Sequence, residues 1–264
     1  MDERVVISVA DQVAHVELNR PEKRNGLDLP MFEALIVAGQ TIIADKSIRA
    51  VVLSGRGHSF CAGLDFQSIL ATPNANQALL KREADTEANV AQRAAWIWQE
   101  VPVPVIAAIQ GVAYGGGCQI ALAADLRIAH PESSISVMEM KWGLIPDMSI
   151  TQTLFRLVRA DIAAELIYTA RVVQADEAVH IGLCTRLHDD PVAEALQIAR
   201  AIAARSPHAI RHAKRLIKDA PNLDRRGAFL LETELQLELL GSPNNVEAIG
   251  ANMMKRNPNF KDVD

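Results

Sequence analysis

Aromatic side chains are scarce: six Phe, three Trp and two Tyr in 264 residues. A platform that stacks the bases of single-stranded nucleic acid needs more ring faces than that. A basic excess is missing as well. The 27 Lys and Arg stand against 32 Asp and Glu, a formal net charge of -5, whereas a binder of phosphate backbones carries the opposite sign. Cysteine is limited to Cys61, Cys118 and Cys184, an odd number at wide spacing. They form neither a disulfide framework nor a C-x-x-C pattern, and read as small buried hydrophobes in a reducing compartment. No apolar run approaches the ~20 residues of a membrane span. The start, Met1-Asp2-Glu3-Arg4, is polar and leads into a strand-like run, unlike a secretory signal. The expectation is a soluble, cytoplasmic protein without nucleic-acid or membrane partners.

What is present is aliphatic. Hydrophobic residues make up 49% of the chain, and Ala, Leu, Val and Ile supply most of the core. At ~150 residues per domain the length admits one large domain or two small ones, and it suffices to bury a core without staples.

Val5–Val9 and Val13–Leu18 read as strands joined at Asp11-Gln12, a hairpin signal. A polar turn over Asn19–Gly26 precedes a helical face on Phe32, Leu35, Ile36, Ile42 and Ile43. Ala50–Leu53 and Val105–Ile109 read as buried strands. Between them Ala78–Glu100 reads as one long helix stopped by Pro102 and Pro104. A helix over Ile120–Ala124 and strands over Leu126–Ala129 and Ile135–Val137 follow. Strands alternating with helices point to α/β layers. From Pro191 the pattern turns wholly helical, over Ala193–Ala204, Pro207–Ala220, Leu223–Leu240 and Asn244–Lys255. The body and this tail together read as one folding domain.

Two glycine-bearing segments follow strands: Ser54–Asp65, containing Phe60-Cys61-Ala62-Gly63-Leu64-Asp65, and Gln110–Gln119, containing Gly115-Gly116-Gly117. Glycines at a helix start leave amides unpaired where the dipole favours negative charge. Neither segment matches a G-x-x-x-x-G-K-[ST] or G-x-G-x-x-G pattern, so nucleotide phosphates are not indicated. Each alone fits a structural role, such as close helix–strand packing at Gly116, better than a catalytic one. Together they can form an oxyanion hole, which polarises a thioester carbonyl and stabilises the enolate formed on proton removal.

With Leu18-Asn19-Arg20-Pro21-Glu22-Lys23-Arg24-Asn25 and Gly143-Leu144-Ile145-Pro146-Asp147, these segments resemble the crotonase, or enoyl-CoA hydratase/isomerase, family. The likeness runs in order from about Val5 to Lys255-Arg256-Asn257-Pro258-Asn259-Phe260. It implies an α/β fold in which repeated ββα units wind into a spiral, followed by a helical trimerisation region. On this chain that means a core over 1–190 for acyl-CoA binding and catalysis, and an oligomerisation region over 191–264. It further implies an acyl-CoA substrate, no cofactor beyond that coenzyme A, no metal, and a homotrimer or dimer of trimers. By position the oxyanion amides are those of Ala62 and Gly116. Gly63, Leu64, Asp65, Gly115 and Trp142 are expected against the substrate, with Trp142 either lining the acyl pocket or packed in the core. Lys23 or Arg24 is expected near the CoA phosphates, although either also reads as an ordinary turn charge.

Hydratases of this family hold water between two glutamates, the first in a G-G-G-x-E pattern and the second roughly twenty residues on. Here the first position is Gln119 and the second is Glu139. An amide can orient a group but cannot act as a base near neutral pH. Glu139 sits among Ile135, Val137, Met138 and Met140, which should raise its pKa. Asp147 lies eight residues further, a spacing that resembles dienoyl-CoA isomerases, where a Glu and an Asp move protons along a conjugated chain. Asp147 reads equally as a helix N-cap ahead of Ser149–Leu157. His58 reads as an exposed loop histidine, and the basic segment Arg211–Lys218 as a solvated helix face or a neighbour's phosphate contact. The combined expectation is an enzyme that isomerises an enoyl- or dienoyl-CoA. Glu139 and Asp147 serve as acid/base and Gln119 as a neutral positioning group. The alternatives are a hydratase with a non-standard acid set and a non-catalytic acyl-CoA binder.

Overall fold

A computed structural model describes residues 3–82 and 86–263. β1 (Val5–Ala10) and β2 (Val13–Leu18) form the expected antiparallel hairpin. Asp11 and Gln12 both take positive φ, 51° and 64°, the mirror-image turn whose twist fits a two-residue hairpin loop. α1 (Leu29–Ala44) starts where the Asp28 carboxylate accepts the Met31 N–H. β3 (Ala50–Gly55) follows, then α2 (Phe66–Ala71) and α3 (Ala75–Leu80). α4 (Val90–Glu100) is a separate helix. The single helix expected over 78–100 is therefore corrected, apart from positions 83–85, which lie outside the described residues. The physical reason is Asn89. It forms a capping box with Gln92, each side chain bonding the other's backbone N–H, and so opens a new helix.

β4 (Val105–Ile109), β5 (Val112–Tyr114) and α5 (Gly116–Leu122) form one ββα unit. β6 (Leu126–Ala129), β7 (Ser134–Ser136) and a 3-10 turn over Glu139–Trp142 begin the next. α5 begins at the glycines, earlier than expected. A Cβ on Gly117 would lie 2.4 Å from the Cys61 carbonyl oxygen, so only glycine allows the first turn this close to the neighbouring loop. α6 (Ile150–Leu157), α7 (Ala160–Thr169), β8 (Val173–Gln174), α8 (Ala175–His180) and β9 (Arg186–Leu187) complete the body. The large sheet runs β1-β2-β3-β4-β6-β9 and is parallel beyond the hairpin; the small sheet runs β5-β7-β8. Successive units thus send one strand to each sheet and then a helix. The loop after β3 joins this pattern through a bridge between Cys61 and Ala113.

Period-two alternation gives the large sheet two buried faces. Val51 and Leu53 enter the main core beneath α1 and α4, whereas Ala50 and Val52 face the alanines Ala195, Ala199 and Ala203. Those alanines belong to α9 (Pro191–Ala203), which is followed by α10 (Pro207–Asp219), α11 (Arg225–Leu239) and α12 (Pro243–Met253). All four are opened by side-chain caps, at Asp190, Ser206, Asp224 and Ser242. Lys214 of α10 is buried against the body. Its ammonium donates to the Trp98 and Val103 carbonyls and to Asp125 Oδ2 at 2.8–3.2 Å. Lys214→Ala strands both carbonyls and removes the cation beside Asp125, whose Oδ2 keeps the Val105 N–H, and should cost about 2–3 kcal/mol in urea unfolding.

Candidate active site

Among the described residues, a cavity of about 390 Å³ opens where the two glycine-bearing loops meet the 3-10 turn. Leu27, Phe32, Leu79, Ala91 and Met148 form apolar walls, with Ala62, Gly63, Leu64, Gly115 and Gly116 along one side. Glu139 and Asp147 are the carboxylates on its lining. Trp142 stands at the mouth, 54% exposed, with its ring 4.6 Å from that of Phe66. Of its two expected placements the structure gives the pocket rather than the core.

The loops are forced together by glycine. Gly63 has φ +87°, and a Cβ there would lie 2.6 Å from the Tyr114 carbonyl oxygen and 3.6 Å from the Gly116 nitrogen. The amides available at this junction differ from the expected pair. Ala62 N–H donates to the Arg24 carbonyl at 2.9 Å, so it is engaged in holding two loops. Leu64 N–H has no acceptor among the described residues, and neither has Gly116 N–H in the first turn of α5. The amide pair open to the cavity is Leu64 and Gly116. Ala62 contributes wall, not a donor.

Asp65 was expected against the substrate and instead faces away from the cavity lining. It caps α2 through Ser68 N–H and Ser68 Oγ, and pairs with Arg20 at 2.8 Å. Burial opposes its ionisation, but the Ser68 hydrogen bonds and Arg20 outweigh this and hold the carboxyl at about 2. Arg20 also reaches Asp28 at 3.6 Å and the Gly26 carbonyl, so a buried ion network fixes the loop that carries Leu64. Lys23 and Arg24 end a short 3-10 turn with exposed side chains and do not line the cavity. His58 is exposed, as expected.

Glu139 opens the 3-10 turn and lies against Gly115, whose added Cβ would sit 3.3 Å from Glu139 Oε1. Oε1 accepts from Gln119 Nε2 at 2.6 Å; Oε2 is buried and has no hydrogen-bond partner among the described residues. Burial pushes the Glu139 carboxyl above the ordinary range. The Gln119 bond offsets this in part, and the nearby Asp147 charge adds to it. Burial raises the Asp147 carboxyl too. Asp147 is not a helix cap: the cap position of α6 is Ser149, in the left-handed region at φ 63° and with no side-chain cap bond. Gln119, 1% exposed, lies behind the lining. Burial raises all three thiols, Cys61 to about 12 and Cys184 to about 11, which leaves them inert as nucleophiles. No cluster of three His, Cys, Asp or Glu suited to a metal occurs among the described residues. Nor is any described helix long and apolar enough to cross a membrane.

The Leu64 amide and the Met148 N–H behind it escaped sequence reasoning. The available signal was the placement of Leu64 just after a glycine that must adopt positive φ.

The sequence model of the enoyl-CoA hydratase/isomerase family matches residues 8–263. YngF of Bacillus subtilis, named for that same hydratase/isomerase class, is 34% identical over 268 residues, covering 100% of both chains. The mitochondrial Delta(3,5)-Delta(2,4)-dienoyl-CoA isomerase of Rattus norvegicus is 34% identical over 223 residues, 79% of this chain and 66% of that protein. The crystal structure of an enoyl-CoA hydratase from Bacillus anthracis superposes with a TM-score of 0.90 at 30% identity, covering 98% of this chain and 99% of that one.

Proposed function

The chain belongs to the enoyl-CoA hydratase/isomerase (crotonase) family of acyl-CoA enzymes, and from that premise we propose that it relocates a double bond in an enoyl- or dienoyl-CoA. The observation that carries this reading is the presence of two half-buried carboxylates, Glu139 and Asp147, on the wall of a cavity bearing two unpaired amides. Leu64 and Gly116 N–H groups hold the thioester oxygen. Ionised Glu139 takes a proton from a carbon made acidic by conjugation with the thioester. The C–H electron pair enters the conjugated chain, and negative charge collects on the oxygen facing the two amides. A proton then returns at the other end of the conjugated system. Glu139 returns it over a short span, and Asp147 in its protonated form delivers it over a longer one. One proton leaves, one arrives, and no water is consumed.

The apolar walls fit an aliphatic acyl chain, and the proposed partners of the CoA phosphates are Lys23 and Arg24, exposed on the turn whose Arg24 carbonyl accepts the Ala62 N–H. For α10–α12 the corresponding role is assembly of a homotrimer or dimer of trimers. Supporting it, α11 leaves Phe229, Leu230 and Leu237 exposed on its surface.

A panel of trans-2-, cis-3- and 3,5-dienoyl-CoA substrates followed by mass spectrometry tests the reading. The expected result is a new product of unchanged mass from the cis-3- or 3,5-substrate. Water adducts as the sole products would overturn it.

A further inference from the structure

We infer that Gln119 is a positioning residue that bridges the two acids through both ends of its amide and, being neutral, offers water between them no base. This deepens the isomerase reading and rests on it. The amide has only one consistent orientation. Its Oε1 accepts the Met148 N–H at 2.9 Å, so its Nε2 must be the atom that donates to Glu139 Oε1 at 2.6 Å. Met148 N–H belongs to the peptide bond that joins Asp147 to Met148. One side chain therefore ties the backbone of one acid to the carboxylate of the other.

Two consequences follow from hydrogen-bond chemistry. Glu139 Oε1 is committed as an acceptor, so a proton on Glu139 resides on Oε2. That oxygen is buried and unpartnered, and its carboxylate lines the cavity. Second, a water molecule near residue 119 meets an amide, which can accept or donate a hydrogen bond but cannot take a proton. The amide oxygen is already bonded to the Met148 N–H, and the remaining amide hydrogen can only donate. Activating water requires a group that takes its proton, and position 119 offers none. The arrangement orients a proton on Glu139 while withholding a carboxylate at position 119, the first of the two positions that the family's hydratases use.

The titratable groups facing Glu139 are Asp147 and the buried Cys118 thiol. Neither changes in Gln119→Glu or Gln119→Met, so these variants isolate the bridge. Gln119→Glu keeps an oxygen for the Met148 N–H but puts two carboxylates in contact, which cannot both ionise. Gln119→Met keeps the volume and loses both bonds. The test is the pH dependence of kcat, the ratio of isomerised to hydrated product, and the carbon-13 NMR titration of the Glu139 carboxyl. Each is measured on wild type and both variants, with KM and thermal unfolding as controls.

Gln119→Glu should move the acid limb of kcat upward by about one to two pH units and produce a water adduct absent from wild type. Gln119→Met should lower kcat by about tenfold or more, raise the Glu139 titration midpoint and yield no adduct. Unchanged pH limbs and unchanged Glu139 titration in both variants would overturn the inference. The NMR titration reads the bridge without turnover. If wild type instead hydrates its substrate, the functional reading and the withholding of water both fail on product mass, while the bridge itself still stands or falls on the titration.

Discussion

Glu139→Gln should reduce turnover by about 10²–10⁴-fold, the usual worth of a positioned acid/base, with little change in KM. The replacement is nearly isosteric, and its amide oxygen can still accept from Gln119 Nε2, so the wall of the cavity is preserved. The same substitution should stabilise the protein above mildly acidic pH. Burial raises the Glu139 carboxyl in the folded state relative to the unfolded chain. Between the unfolded and folded pKa values the folded state binds more protons, so wild-type stability falls as pH rises through that window. The substituted amide carries no charge and escapes that loss. Urea unfolding of both proteins at about pH 4 and about pH 8 should therefore show a variant advantage that grows with pH. Unchanged turnover on every enoyl-CoA tested would remove Glu139 as the base, whatever the stability result.

The second large effect is expected from a single backbone atom. Replacing the amide of Leu64 by an ester, through incorporation of the α-hydroxy acid, deletes one N–H and leaves the side chain in place. Loss of one oxyanion donor should lower kcat by about 10²–10³-fold. The same replacement at Ala62 deletes the bond to the Arg24 carbonyl instead. That change should appear mainly as lost stability, about 1 kcal/mol for a hydrogen bond, with kcat little altered. The reverse outcome would return the oxyanion role to Ala62.

The contrast between Ala62 and Leu64 shows where local pattern stops being informative. The glycine-bearing loop, its approach to Gly116 and the two acids could all be read along the chain, because each depends on residue type and spacing. Which amide in the loop is free depends on Arg24, whose carbonyl comes from a turn far upstream and takes the Ala62 N–H. Asp65 misled for the same reason: its partner, Arg20, arrives from that turn. The hairpin at Asp11-Gln12 was legible without any glycine, since alternating apolar residues on both sides leave just two residues to turn. The stretch from Ala78 to Glu100 was not, because its Ala, Gln and Arg content favours helix throughout and hides the cap at Asn89. Glu139 stood out because its neighbours are apolar, and the structure gives it the raised pKa that this predicts. The link from Gln119 to Met148 needs the folded backbone, since no sequence pattern reveals a main-chain donor.

In the reaction proposed for this chain the site moves protons and does not add water. Incubating the isomerised substrate with enzyme in water enriched in both deuterium and oxygen-18 tests it most directly. The expected product carries no oxygen-18, and deuterium enters where Asp147 delivers the proton or where Glu139 exchanges its own with solvent before returning it. Oxygen-18 in the acyl chain at the rate of turnover would contradict the account.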